Sequence, residues 1–178
     1  PEILGYENRQ YYIKTPAHKG YIAICHNGTW GPGGSLQVTA YPSTKSTDFG
    51  YGVLFGWDGG ALSTADGCIF GIHHQSRGLT SEGYTTRSFT AVKVAEFSKG
   101  SYTSDSWELG SVSLDSNPHT LRVALHPDGS VVGYLDEKFI AEYQFSECSE
   151  GPTGLVAWGD WKGETKVYFD DLKLFDLP

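Results

Sequence analysis

Residues 119–145, HTLRVALHPDGSVVGYLDEKFIAEYQF, carry the clearest strand pattern in the chain and restrict what it can fold into. Leu121, Val123 and Leu125 alternate with Thr120, Arg122 and Ala124, so one side of an extended segment is apolar. Asp128-Gly129 predicts a two-residue hairpin turn with positive backbone angles, after which residues 130–135 return antiparallel. Asp136-Glu137-Lys138 turns the chain again. Residues 139–145 then predict a third strand, with Phe139, Ala141, Tyr143 and Phe145 on one face and Ile140, Glu142 and Gln144 on the other. Three such strands leave an apolar face open to water unless a second layer covers it. The chain is therefore expected to be all-β, a two-sheet antiparallel β-sandwich with little or no helix.

The remaining segments agree with that class, because none repeats apolar residues at helical spacing. Residues 1–19 fit an opening strand that pairs late in the sheet. Residues 20–26, GYIAICH, predict a short strand running into a glycine-rich loop, NGTWGPGG, that holds Trp30. Residues 35–41 and 49–57 predict two more strands. In the second, FGYGVLFGW, Tyr51, Val53, Phe55 and Trp57 share one face, while Gly50, Gly52 and Gly56 leave the other nearly bare apart from Leu54. Residues 68–74 extend the bare face with Gly71 and place His73 and His74 on opposite sides. Residues 77–85 read as a polar loop, 87–97 as a strand and 98–106 as a polar turn region.

A chain of 178 residues makes one domain, 1–178, able to bury about 70% of its unfolded surface without staples. Its net charge of -8 opposes the basic footprint of a nucleic-acid or anionic-membrane binder, and no apolar run approaches the ~20 residues of a membrane span. The chain starts at Pro1 and contains no Met, which predicts a processed or excised product. Three cysteines, Cys25, Cys68 and Cys148, allow at most one internal disulfide, with the pairing open. Cys68, beside Ile69 and Phe70, reads as a buried strand thiol. Asn27-Gly28-Thr29 is both a glycosylation sequon and a common turn.

The pieces LRVALHPDG and VVGYLDEK resemble the concanavalin A-like, laminin G-type jelly roll, in which a hydrophobic strand meets an Asp-Gly turn and then a Tyr-x-Asp strand. The C-terminal GLVAWGDWKGETKVYFDDLKLF is similar to the closing strands of many jelly-roll carbohydrate-binding modules. The resemblance implies a secreted, lectin-like, non-catalytic domain whose partner is a polysaccharide, of the kind found within larger multidomain enzymes. It also implies that an Asp of the terminal strand, Asp170 or Asp171, can hold a structural calcium ion together with backbone carbonyls, with Glu2, Glu7 and Asn8 as candidates for the further oxygen donors.

Residue types point the same way. Aromatics make up 14% of the chain, with five Trp and eleven Tyr, and a sugar offers apolar C–H faces to such rings while its hydroxyls need polar neighbours. The rings expected to be exposed lie in glycine-rich or charged stretches: Trp30, Trp57 before DGG, and Trp158 and Trp161 in AWGDWKGE, where Asp160 supplies a hydrogen-bonding group. The competing reading makes Trp158 a core ring at a strand end. His73, on the side of Gly71, is the candidate among the histidines, and Arg77 would meet a carboxylate or sulfate if the glycan is acidic. Adjacent strand residues face opposite ways, so His73 and His74 cannot share one metal. An alternative on the same fold is a polysaccharide lyase or glycoside hydrolase. The ExDxxE-like run of jelly-roll glucanases is missing, while GIHHQ is similar to the Gln-Ile-His strand of jelly-roll alginate lyases and FSKGSY to another of their motifs, though FSKGSY stands before the meander instead of after it. A second alternative is a laminin G-like adhesion domain that binds protein through its rim loops.

Overall fold

The alternation that predicts the meander builds three neighbouring strands at one side of a sandwich that has thirteen strands among the described residues. The computed structural model of the protein describes residues 4–16, 20–30, 32–43, 48–57, 66–77, 87–98, 101–109, 114, 117–145, 148, 151–159 and 164–176. For residues 20–30, 48, 75–77, 87–88 and 102 it describes the backbone alone. In chain order the strands are β1 (Leu4–Glu7), β2 (Gln10–Thr15), β3 (Gly20–Trp30), β4 (Gly34–Pro42), β5 (Asp48–Phe55), β6 (Gly67–Arg77) and β7 (Arg87–Ser98). They continue with β8 (Ser101–Glu108), β9 (His119–Leu125), β10 (Ser130–Leu135), β11 (Lys138–Gln144), β12 (Gly151–Gly159) and β13 (Thr165–Asp176). One sheet has the order β1-β2-β13-β4-β9-β10-β11, the other β3-β12-β5-β6-β7-β8, with every pairing antiparallel. The described residues contain no helix.

The core lies between the sheets. Tyr51, Val53, Phe55, Phe70 and Ile72 from one side meet Leu36, Val38, Leu121, Val123 and Val131 from the other, all with 0% of their surface exposed. Gly133 of β10 lets the layers approach, because a Cβ there would stand 2.3 Å from the Phe70 ring. The opening segment pairs late, as expected, but as a hairpin: β2 lies beside β13, and β1 folds back over it.

Local geometry departs from the sequence reading at several places. The turn after β9 is not a two-residue hairpin. Gly129 N–H bonds to the His126 carbonyl at 3.0 Å, and Gly129 alone of the turn residues has a positive φ, +83°. Pro127, with its fixed φ, favours this wider turn, while the Asp128 carboxylate accepts from the amide and hydroxyl of Ser130 at 2.9 and 2.7 Å. The two-residue turns with paired positive φ are instead Asp136-Glu137 (49° and 64°) and Asn8-Arg9 (51° and 69°). Tyr134 pairs with Phe139 and Gly133 with Ala141, leaving Ile140 as the extra residue of a bulge. The bulge reverses the expected facing: Phe139 is 61% exposed and Ile140 is buried in the core. The expected NGTW loop is part of β3, held by β12, and the expected turn region 98–106 is largely β8, paired with β7. Cys68 is buried but is not a thiol, since it forms a disulfide with Cys148 across a sequence separation of 80, with Cα atoms 5.9 Å apart. The Cys25 side chain lies outside the described residues.

Candidate functional site

Strand alternation gives the six-stranded sheet a second, outward face, and its register can be read as rows. Trp158, Gly50, His73, Ala91 and Glu108 are successive partners in one row, and Val156, Gly52, Gly71, Lys93 and Ser106 in the next. A third row contains Leu54, Ile69, Ala95 and Ser104. The apolar members, with Val156 and Trp57, form a second cluster of buried residues, separate from the main core.

Trp158 explains the glycines of this face. A Cβ on Gly50 would fall 1.9 Å from the indole, and one on Gly71 would fall 2.6 Å from it, so the ring lies flat on the two glycines. The bare strip expected from the sequence is thus filled first by the chain's own tryptophan. The indole is half-buried. Its Nε1 is enclosed and has no hydrogen-bond partner among the described residues. His73, 4% exposed, packs at its edge with ring centroids 6.1 Å apart. Beyond the histidine the same face carries partly buried Lys93 and exposed Glu108. Indole, imidazole, ammonium and carboxylate along one strip can offer a ring face together with donors and acceptors for hydroxyl groups.

The predicted residues are distributed as follows. His73 and Trp158 come together. His74 points the other way, its ring tilted against Phe49 at 5.4 Å, as strand alternation requires. Trp57, expected to be exposed, is 6% exposed and packs edge-on against Phe97 at 6.1 Å, because the strand end carries it into the second cluster and away from solvent. Arg77 pairs with Arg87 at the end of β6, and its side chain lies outside the described residues. Asp160, Trp161, Glu2 and the Trp30 side chain lie outside them as well. Lys93 and Glu108 were missed by sequence reasoning. In AVKVA the position opposite Val92 and Val94 was visible, but only the register of β6, β7 and β8 shows that it joins the histidine strip.

No family model and no curated protein matches this sequence. Solved structures do. A galectin of Xenopus laevis superposes with a TM-score of 0.56 at 13% identity, over 87% of this chain and 100% of the galectin. A β-glucanase of Bacillus licheniformis gives 0.60 at 12%, over 98% of this chain and 82% of the enzyme. A carbohydrate-binding module of Bacillus subtilis gives 0.55 at 16%, over 90% and 94%. The fold is a concanavalin A-like jelly roll.

Within the concanavalin A-like jelly roll, Glu7 is engaged by neighbours of its own, and Glu2 lies outside the described residues. Glu7 accepts from Lys166 Nζ and, at 3.0 Å, from the Tyr168 hydroxyl, and these bonds hold its carboxyl below the usual carboxylate range. Partial burial works against the charge of Lys166, but Glu7 and Tyr168 outweigh it and push the ammonium up to about 12. Asp170 and Asp171 are neighbours at a bulge of β13, where Asp170 Oδ1 accepts the Asp171 amide at 2.9 Å. Among the described residues no third His, Cys, Asp or Glu joins them closely enough to share an ion.

Proposed function

We propose that the protein is a non-catalytic carbohydrate-binding domain that takes a polysaccharide on the outward face of the six-stranded sheet. The observation that carries this reading is the Trp158 ring laid on Gly50 and Gly71 beside His73, with Lys93 and Glu108 farther along the strip. The indole supplies the apolar surface for sugar C–H groups, and its unpartnered Nε1 and the flanking polar groups meet hydroxyls. The names of the matching structures, a galectin and a carbohydrate-binding module among them, support the same ligand class. Asp160 and Trp161, which follow Trp158 in the sequence, are carried as further candidate contacts from sequence alone. A glycosidase would place two carboxyl groups across the ligand, whereas Glu108 is the one carboxylate among the outward positions of β5, β6, β7, β8 and β12 whose side chains are described, Asp48 at the start of β5 being described in its backbone alone. The Cys68–Cys148 bond supports an oxidising, extracellular setting.

The test is binding to a panel of neutral, uronate and sulfated polysaccharides, each also assayed for chain cleavage. Binding without cleavage is expected, weakened at least about tenfold by Trp158→Ala. Because Trp158 also packs on the sheet, Glu108→Gln and Lys93→Ala serve as variants that leave the indole in place. Affinity unchanged in all three would remove this face from the function, and cleavage would turn the reading toward a lyase or hydrolase.

A further inference from the structure

A cleft of about 400 Å³ opens where β2 ends its pairing with β13 at Tyr11–Phe169. Its floor is apolar, formed by Leu155 and Phe169, both 2% exposed. Its rim is polar: Arg9 on the β1–β2 turn faces the same space as Asp170 and Asp171 on the bulge of β13. Tyr6 stands at the mouth, 79% exposed, its ring edge-to-face with Tyr11 at 5.2 Å. Arg9 in the two-residue turn and Asp171 in the bulge have left-handed backbones, φ 69° and 51°, as those local geometries require. No ion pair joins Arg9 to Asp170 or Asp171 among the described residues, so the cleft keeps a cationic donor and two anionic acceptors together, uncancelled by direct contact.

We propose that this cleft is a second saccharide site, seating one neutral pyranose unit with its C–H face on Tyr6 and its hydroxyls between Arg9 and the Asp170–Asp171 pair. A hydroxyl is both donor and acceptor, so a polyol satisfies guanidinium and carboxylates at once, while an anionic sugar meets two carboxylates against one guanidinium and is disfavoured. The size and the apolar floor with few convergent polar groups suit a small ligand. The site is distinct from the Trp158 strip: Leu155 belongs to the inner face of β12 and Trp158 to its outer face.

The experiment is amide NMR of the ¹⁵N-labelled protein titrated separately with methyl β-glucoside, methyl β-galactoside, methyl α-mannoside, glucuronate and calcium chloride. At least one neutral glycoside is expected to give saturable shifts at Tyr6, Arg9, Asp171 and Leu172, and glucuronate weaker ones. Tyr6→Ala, at an exposed position, and Asp171→Asn, which keeps a residue tolerant of the left-handed backbone, should each weaken that binding at least about tenfold. Trp158→Ala should leave it unchanged. Absence of saturable shifts with all three neutral glycosides, shifts that survive both cleft variants, or a response to calcium alone would overturn the proposal. Sugar shifts confined to Trp158 and His73 would overturn the cleft and leave the first site standing, whereas shifts confined to the cleft would do the reverse.

Discussion

Position 50 tolerates nothing larger than glycine while Trp158 keeps its ring on the sheet. The added carbon of Gly50→Ala would lie 1.9 Å from the indole, too close for a small side-chain adjustment, so the ring must leave its seat. Gly50→Ala is expected to destabilise the fold by about 1–3 kcal/mol, the usual cost of overpacking. The same change in a Trp158→Ala background should cost much less, with a coupling of about 1 kcal/mol or more in a urea-denaturation double-mutant cycle. Equal costs in both backgrounds would mean that the ring and the glycine do not touch. The glycine pattern itself was legible in the sequence, as was the opposite facing of His73 and His74, since both follow from a period of two. The occupant of the glycine strip was not, because Trp158 reaches it from a strand about a hundred residues later in the chain.

Elements show the same division between near and far. The three strands of the meander lie where the alternation places them, within a residue or two at each end. Their turns and facings were less legible. Asp-Gly alone suggests a two-residue hairpin, but Pro127 and the bonds from Ser130 to Asp128 select a wider turn. The amide and hydroxyl of Ser130 hold the Asp128 carboxyl below the usual range. Its folded pKa is then lower than its unfolded one, so the stabilisation is fully present above about pH 4 and is lost as pH falls through the folded value. Urea midpoints followed from about pH 6 down to 2 should therefore fall more steeply for the wild type than for Asp128→Asn, and parallel curves would dismiss the turn as a contributor. The bulge at Ile140 has no sequence mark, and it alone turns Phe139 outward.

On the scale of the whole molecule, the Cys68–Cys148 disulfide joins β6 of one sheet to the segment that follows β11 of the other. By the chain-entropy estimate, closing a loop of this size stabilises the fold by roughly 4–5 kcal/mol. Cys148→Ser should lower the urea-unfolding free energy by up to that amount, and reductant added during unfolding should bring the wild type toward the variant. A midpoint unmoved by either treatment would show that the two sulfurs do not hold the sheets together. Local alternation of side chains was enough to establish an all-β chain, the extent of its meander and the facing of its glycines, because these depend on residues one or two positions apart. Strand order, the partner of Cys68, the burial of Trp57, the rows that put Glu108 in line with His73 and Lys93 in line with Gly71, and the cleft between Arg9 and Asp171 depended on tertiary structure. Each joins residues from strands that are brought together by antiparallel register and by the packing of one sheet on the other, which no short window of sequence specifies.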